Sequence, residues 1–401
     1  MKLIPFDPQY LRAGEPLPFG LRDEGGRLLL AAGESIQHAG RLQDLAGQRL
    51  FAAEHEAADW YRRLTVVTHE RLMHNALLKD VAAVRPERNV RDGSAVRTLT
   101  FADEWEEIVL ALDSVLRDAR SGSDWVARLE AVQGRAGGLL RRRPDASLYL
   151  QVYQAGQLVE KYSSRHAVLA MTVCELAAPL LGWPPEDVRS LGLAALTMNV
   201  AMHRLQHQLA ASEIAPTEAM RAQIDAHPAA GAAHLAAAGW SDTLAIEVVR
   251  RHHEGGPAGR ALASMTAAER LAGLLHRIDV FTAKISRRAG RSPMSPVRAA
   301  REACLGPGGR PDEIGGVLLK AVGMYPPGSF VELASGEKGI VLARGRRANL
   351  PWVASLIGAA GHALGEPALR DTLDQRHAVK GAVPADTVRV RPPHEKLLAM
   401  R

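Results

Sequence analysis

Four histidines and one aspartate, His166, His227, His252, His253 and Asp279, fall at helix-compatible spacings inside otherwise apolar segments between Tyr162 and Arg291. Imidazole nitrogens and carboxylate oxygens brought to neighbouring ends of antiparallel helices make an N/O cage of the kind that holds two or three first-row metal ions. Such a cage lowers the pKa of a bridging water until hydroxide can attack a phosphodiester. A metal-site reading would also demand an adjacent histidine and aspartate in mid-helix. At the place where that pair is expected the chain carries Met198 and Asn199, a thioether and a neutral amide, with Met202 on the same face.

Helices must position these groups. His166, Ala170, Val173, Cys174, Ala177 and Leu181 form one apolar stripe, so His166 is expected to face the core. Pro184-Pro185-Glu186-Asp187 is a start signal, after which Val188, Leu191, Gly192, Ala195, Met198, Asn199 and Met202 share the inward face of a second helix. A third helix leads to His227-Pro228, where proline is expected to end or kink it, and Gly231 permits close packing one turn later. A fourth, opened by Ser241-Asp242, ends in His252-His253-Glu254-Gly255-Gly256-Pro257. The fifth aligns Ala268, Ala272, Leu275, Asp279, Thr282 and Ser286, which makes Asp279 an inward carboxylate.

Other polar groups are read more plainly. His203 and His207 lie four apart and share a helix face, but no carboxylate lies between them and Arg204 is adjacent, so an exposed face is expected. Arg141-Arg142-Arg143 reads as a solvated helix end. Arg288 and Arg291 have the spacing to hold a phosphate through bidentate contacts. Gly137-Gly138 lacks the strand-glycine-helix setting of a phosphate loop and is expected, with the arginine triplet, to interrupt the helical pattern of 61–160. In that stretch Trp105, Ile108, Val109, Leu112 and Val115 recur at three and four residues.

The chain has 401 residues, is 47% hydrophobic and only 4% aromatic, and is rich in Ala, Leu, Gly and Arg, a balance that favours helices. Its net charge of +6 is scattered, not gathered into a basic tail, so no nucleic-acid partner is expected. Cys174 and Cys304 form no C-x-x-C pattern and the first residues lack the apolar core of a signal peptide, pointing to a reducing, cytoplasmic setting. The longest apolar run, 167–183, is interrupted by Glu175 and is too short for a membrane span.

Short segments at either end read as strands. Leu17–Leu21 and Arg27–Leu30 flank the turn signal Asp23-Glu24-Gly25-Gly26. Phe330–Leu333, Gly339–Ala343 and Trp352–Ile357 alternate with Gly and Pro near the C-terminus. The expected organisation is a small β-containing module over 1–60, a helical linker region over 61–154, a helical domain over 155–305 and a small β-rich module over 306–401.

Taken in order, the motifs resemble the HD-GYP family of bacterial cyclic di-GMP phosphodiesterases. Tyr162-Ser163-Ser164-Arg165-His166 resembles the family's Tyr-Thr-x-x-His, and Leu193 to Met202 is similar to its Leu-Leu-His-Asp-Ile-Gly-Lys helix, with Met198, Asn199 and Met202 at the His, Asp and Lys. His227-Pro228-Ala229-Ala230-Gly231 matches His-Pro-x-x-Gly, and His252-His253-Glu254 matches His-His-Glu. The loop that names the family is reduced to Gly255-Gly256-Pro257. Ile278–Ala283 resembles the Asp-Val-Phe-Asp-Ala segment, and Arg288-Ala289-Gly290-Arg291 resembles Arg-Pro-Tyr-Arg.

The resemblance implies a mainly α protein, an HD-type all-α helical core with small β modules at the N- and C-termini. It also implies that Met198, Asn199 and Met202 are degenerate positions, because in the family the aspartate bridges metals and the lysine meets substrate phosphate. The expected function is a bacterial signalling protein with a catalytically impaired HD-GYP domain and no catalytic residues, acting on other signalling proteins as a regulatory module. Two alternatives stand beside it. One is a sensor that binds cyclic di-GMP through Arg288 and Arg291. The other is a phosphodiesterase with an unusual metal complement on His166, His227, His252, His253 and Asp279. No cofactor is expected, and a residual divalent ion, Fe or Mn, belongs with the last alternative.

Overall fold

The computed structural model describes residues 3–17, 19–36, 39–54, 56–58, 60–61, 64, 99–254, 260–306 and 309–401. The reading of 65–98 as helical and that of Gly255-Gly256-Pro257 lie outside the described residues. The chain divides into two compact units, Met1–Leu110 and Ala111–Arg401. It is mainly helical, with a small antiparallel sheet toward each end.

In the first unit, strands β1 (Leu3–Phe6), β2 (Leu21–Arg22), β3 (Leu28–Leu30) and β4 (Leu50–Ala53) form a sheet in the order β1-β4-β2-β3, with helix α1 (Ala39–Ala46) between β3 and β4 in the chain. The expected turn at 23–26 is present, closed by Gly26 N–H to Asp23 O at 2.9 Å, but the strand before it is only two residues long. In its core Phe19 packs edge to face against both Phe6 and Trp60, and the Phe6 and Trp60 rings are tilted at 51°. Buried Arg22 is neutralised by a bidentate pair with Asp103, at 2.5 and 3.0 Å, which meets the demand of a buried charge for a partner.

Helix α2 (Phe101–Arg117) runs across the division and buries Trp105, Ile108, Val109, Leu112 and Val115, the stripe seen in the sequence. Helices α3 (Trp125–Arg142) and α4 (Pro144–Gln157) meet at Arg143, where Pro144 begins the second. Gly137 and Gly138, expected to break the pattern, are instead interior residues of α3.

The second unit is built around α5 (Tyr162–Ala177), buried on nearly every side and packed against α4, α6 (Pro185–Thr197), α7 (His203–Ala211), α10 (Ala267–Ile285) and α12 (Glu313–Val322). A helix buried on nearly every face must be central. The second helix of the sequence reading is not continuous. It stops at Thr197, turns through Met198 and Asn199, makes a 3-10 turn over Val200–Met202 and resumes as α7.

Helix α8 (Glu218–Ala237) runs through Pro228 without ending there. A Cβ on Gly231 would lie 3.4 Å from Val249 Cγ1 and 3.6 Å from Val200 Cγ1, so this glycine sets the close approach of α8 to α9 (Thr243–Arg251) and to the 3-10 turn. Asp242 caps α9 through Ala245 N–H at 2.9 Å, as the start signal implied. Thr266 and Glu269 form a capping box on α10.

Beyond α11 (Pro296–Ala303) the chain is not simply β-rich, because α12 comes first. A Cβ on Gly315 of α12 would fall 2.1 Å from the Cys304 carbonyl oxygen, a contact only glycine allows. Five antiparallel strands follow: β5 (Phe330–Leu333), β6 (Lys338–Ala343), β7 (Trp352–Ile357), β8 (Ala363–Asp371) and β9 (Val379–Ala382), in the order β8-β7-β6-β5-β9. The two strands not expected, β8 and β9, are the sheet's edges, and Pro367 sits in β8 where an edge tolerates a missing donor. A last helix, α13 (His394–Ala399), follows the sheet.

Candidate functional site

The His-Pro dipeptide sets the first part of the site. Pro228 has no N–H to give the carbonyl four residues back, that of Ile224, and the His227 Nδ1–H donates to it at 2.5 Å instead. At the end of α9, where the last carbonyls lack helical partners, the His252 Nδ1–H donates to Val249 O at 2.7 Å. A carbonyl only accepts, so both rings carry their proton on Nδ1 and both Nε2 atoms keep a lone pair. Those two Nε2 atoms face each other at 3.1 Å.

His227 and His252 are buried, and His253 stands at the rim with its ring centroid 4.6 Å from that of each. Each of the three offers a ligand atom within 4.8 Å of the others. Burial pushes His252 down to about 4 and lowers His227 and His253 as well, so the rings are neutral near pH 7, the form that binds a metal. Two opposed lone pairs in a dry site repel unless a cation lies between them, and three imidazoles suit a first-row divalent ion.

His166 and Asp279 form a pair of their own. The Nε2 of His166 lies 2.6 Å from Asp279 Oδ1, while its buried Nδ1 has no hydrogen-bond partner. Tyr162 stacks on the ring, centroids 5.9 Å apart and planes 8° from parallel. Burial by itself raises the Asp279 carboxyl, but the hydrogen bond with His166 and the nearby His252 and His253 rings hold it well below the usual carboxylate range. It is an anion held beside the imidazole group.

The turn that interrupts α6 and α7 supplies no charge. Met198 is fully buried, Asn199 is 4% exposed and Met202 is buried as well. The Asn199 amide nitrogen has no partner, an orphaned donor whose burial is costly. The Met198 carbonyl is 3.8 Å from where a Gly231 Cβ would stand, which seats this turn against the helix bearing His227. The donor set thus fits one ion on the three imidazoles, and Asn199 contributes no anion for a second ion to share.

Arg288 and Arg291 close a tight turn after α10, each backbone N–H reaching the other's carbonyl, at 3.3 and 3.2 Å. Arg288 Nε donates to Tyr162 Oη at 3.0 Å and its guanidinium lies over that ring, while Arg291 donates to Ala283 O at 2.7 Å. Both line a cavity of about 620 Å³ that Arg287, Tyr153 and Ser329 also line. Burial and the nearby Arg288 lower the Arg291 guanidinium, and among the described contacts neither arginine has a carboxylate partner. Two cations side by side without a carboxylate favour an anion.

One cluster escaped the sequence reading. His203, expected on an exposed face, is 4% exposed, and both it and His207 lie against the buried Asp113 of α2. The missing carboxylate comes from a residue 94 positions before His207, so no local spacing could reveal it.

No family model matches the chain. A curated cyclic di-GMP phosphodiesterase from Pseudomonas aeruginosa is 27% identical over 239 residues, which is 58% of this chain and 56% of that protein. The chain spans about half the length of this curated relative. Among solved structures, an HDG"Y"P protein from Bdellovibrio bacteriovorus is similar at 15% identity and a TM-score of 0.43, over 80% of this chain and 99% of that one. The resemblance to cyclic di-GMP phosphodiesterases carried by the motifs is borne out. No helix among the described residues is long and apolar enough to cross a membrane.

Proposed function

We propose that this HD-GYP-like chain is a bacterial signalling protein whose helical domain, 155–305, is impaired in hydrolysis and acts on other signalling proteins as a regulatory module. The observation that carries this reading is the buried turn at Met198 and Asn199. A thioether and a neutral amide are poor ligands for hard divalent ions, and without a shared carboxylate a pair of ions loses the bridge that generates hydroxide. Met202 adds no charge to hold a phosphate.

His227, His252 and His253 would hold a divalent ion, which would supply Lewis acidity when bound. The surrounding residues would orient and neutralise it: the Nδ1–H bonds to Ile224 O and Val249 O fix the rings, and Asp279 contributes negative charge through its pair with His166. The deciding assay is turnover of cyclic di-GMP by the purified, Mn²⁺- or Fe²⁺-loaded chain beside an active HD-GYP enzyme. Comparable rates would overturn the reading.

A second reading is favoured by the cavity at Arg288 and Arg291. Its volume of about 620 Å³ suits a nucleotide-sized ligand, and its uncompensated guanidinium groups suit phosphate. In this reading the chain senses cyclic di-GMP or a related nucleotide without cleaving it. Calorimetry with cyclic di-GMP that shows no heat of binding at high micromolar concentration would remove it.

A further inference from the structure

Outside the imidazole group, the described residues hold one other cluster of metal-ligating side chains: Asp113, His203 and His207. His203 and His207 are four apart on α7 and share a face, and Asp113 Oδ1 lies 3.3 Å from His203 Nε2 and 3.2 Å from His207 Nε2. The edge of a tetrahedron with metal–ligand bonds of about 2.0–2.2 Å is about 3.3 Å. The carboxylate oxygen is therefore already at the distance from each ring nitrogen that a bound ion imposes, and all three ligand atoms lie within 4.8 Å of one another.

The carboxylate is divided between two kinds of partner. Its Oδ2 takes Lys161 Nζ at 2.5 Å and Arg117 at 3.0 Å, while Oδ1 faces the two rings and the Ser164 hydroxyl at 3.3 Å. Such bonds to the second oxygen are the usual support of a carboxylate that binds a metal through its first. Lys161 reaches this position from a left-handed backbone conformation, φ 54, and it is the described non-glycine residue with positive φ. Strain of that kind persists where surrounding structure demands it.

His203 supplies the independent observation. It is 4% exposed, and neither of its ring nitrogens has a hydrogen-bond partner, although its Nε2 is aimed at Asp113. A buried imidazole whose Nδ1 has no partner and whose Nε2 meets a carboxylate only at 3.3 Å is disposed as a metal ligand is.

We propose that Asp113, His203 and His207 form a second site for a divalent cation of the zinc type, a two-histidine, one-carboxylate site with an open position. On binding, His207 takes the tautomer with its proton on Nδ1 and gives up the long, 3.3 Å contact from Ser163 N–H. Lys161 and Arg117 are 25% and 30% exposed, so water screens their repulsion of the ion, which nonetheless leaves the site weaker than a closed structural zinc centre.

The test uses the full chain carrying His227→Ala and His252→Ala, which removes the first imidazole group, titrated with Zn²⁺ and, for its absorption spectrum, with Co²⁺. One equivalent is expected to bind, with the visible bands of four- or five-coordinate Co²⁺, and adding His207→Asn should weaken it about 100-fold. Absence of binding, or binding unchanged by His207→Asn, would overturn the proposal. Wild-type chain gives a reading that no variant's folding can confound: Zn²⁺ should protect His207, 25% exposed, from acylation by diethyl pyrocarbonate. Unaltered labelling of His207 under saturating Zn²⁺ would count equally against the site. Either result leaves the hydrolysis assay untouched, so the two ideas stand or fall separately.

Discussion

The Nε2 atoms of His227 and His252 face each other at 3.1 Å, and each ring is turned that way by a hydrogen bond from its own Nδ1 to a carbonyl three residues earlier. Both carbonyls are freed by chain features, one by Pro228 and the other by the end of α9. The opposed lone pairs are thus written into the backbone.

The first prediction follows from that opposition. Mn²⁺ or Fe²⁺ at about 100 times its dissociation constant should stabilise the chain by about 2.7 kcal/mol. Differential scanning calorimetry should show the rise in Tm for wild type and lose most of it in His252→Ala.

Restoring the pair at the turn is the second. Asn199→Asp buries a carboxylate at a position 4% exposed, so without metal it should destabilise by about 3 kcal/mol or more. Divalent metal should recover that loss. Together with Met198→His, hydrolysis of cyclic di-GMP should rise about ten-fold or more above wild type. A double variant that folds, binds metal and stays as slow as wild type would show that the turn is not what limits turnover.

The arginine turn carries the third. If the cavity takes a cyclic dinucleotide, Arg288→Ala should weaken binding about ten-fold, a loss of about 1.4 kcal/mol, and Arg291→Ala by a similar factor. Higher salt should weaken wild-type binding more than that of either variant, since the lost contacts are ionic. Titration calorimetry at two ionic strengths reads both effects.

A fourth concerns acid. His394 at the start of α13 meets Tyr149 Oη at 2.9 Å, and burial, with Arg391 adding to it, lowers the ring to about 4 from its ordinary 6.5. A histidine depressed in the folded state contributes stability that is fully present above 6.5 and is lost as pH falls toward 4. The loss should be on the order of 1–3 kcal/mol. Hydrogen exchange should show α13 losing protection between pH 7 and pH 4.5, and His394→Gln should flatten that dependence.

Local chemistry made much of this protein legible. Apolar stripes at three and four residues located α2, α5, α9 and α10, and start signals at Pro184-Pro185 and Ser241-Asp242 placed helix ends. Both rest on neighbours in the chain. The His-Pro dipeptide was visible, and of the two outcomes it left open, an end or a kink, the helix does not end there, because the preceding imidazole replaces the missing N–H within the same turn. The edge strands β8 and β9 were missed since an edge faces water and need not alternate in hydrophobicity.

The amino-acid sequence alone determined which residue types stand at the centre: histidines and Asp279 kept, Met198, Asn199 and Met202 uncharged. No packing can give those three side chains an acidic group. Only the tertiary structure decided who meets whom: His227 with His252, His166 with Asp279, and Asp113 with His203 and His207. Such meetings depend on how helices far apart in the chain cross, and helical periodicity reports which face a residue occupies without naming what lies opposite.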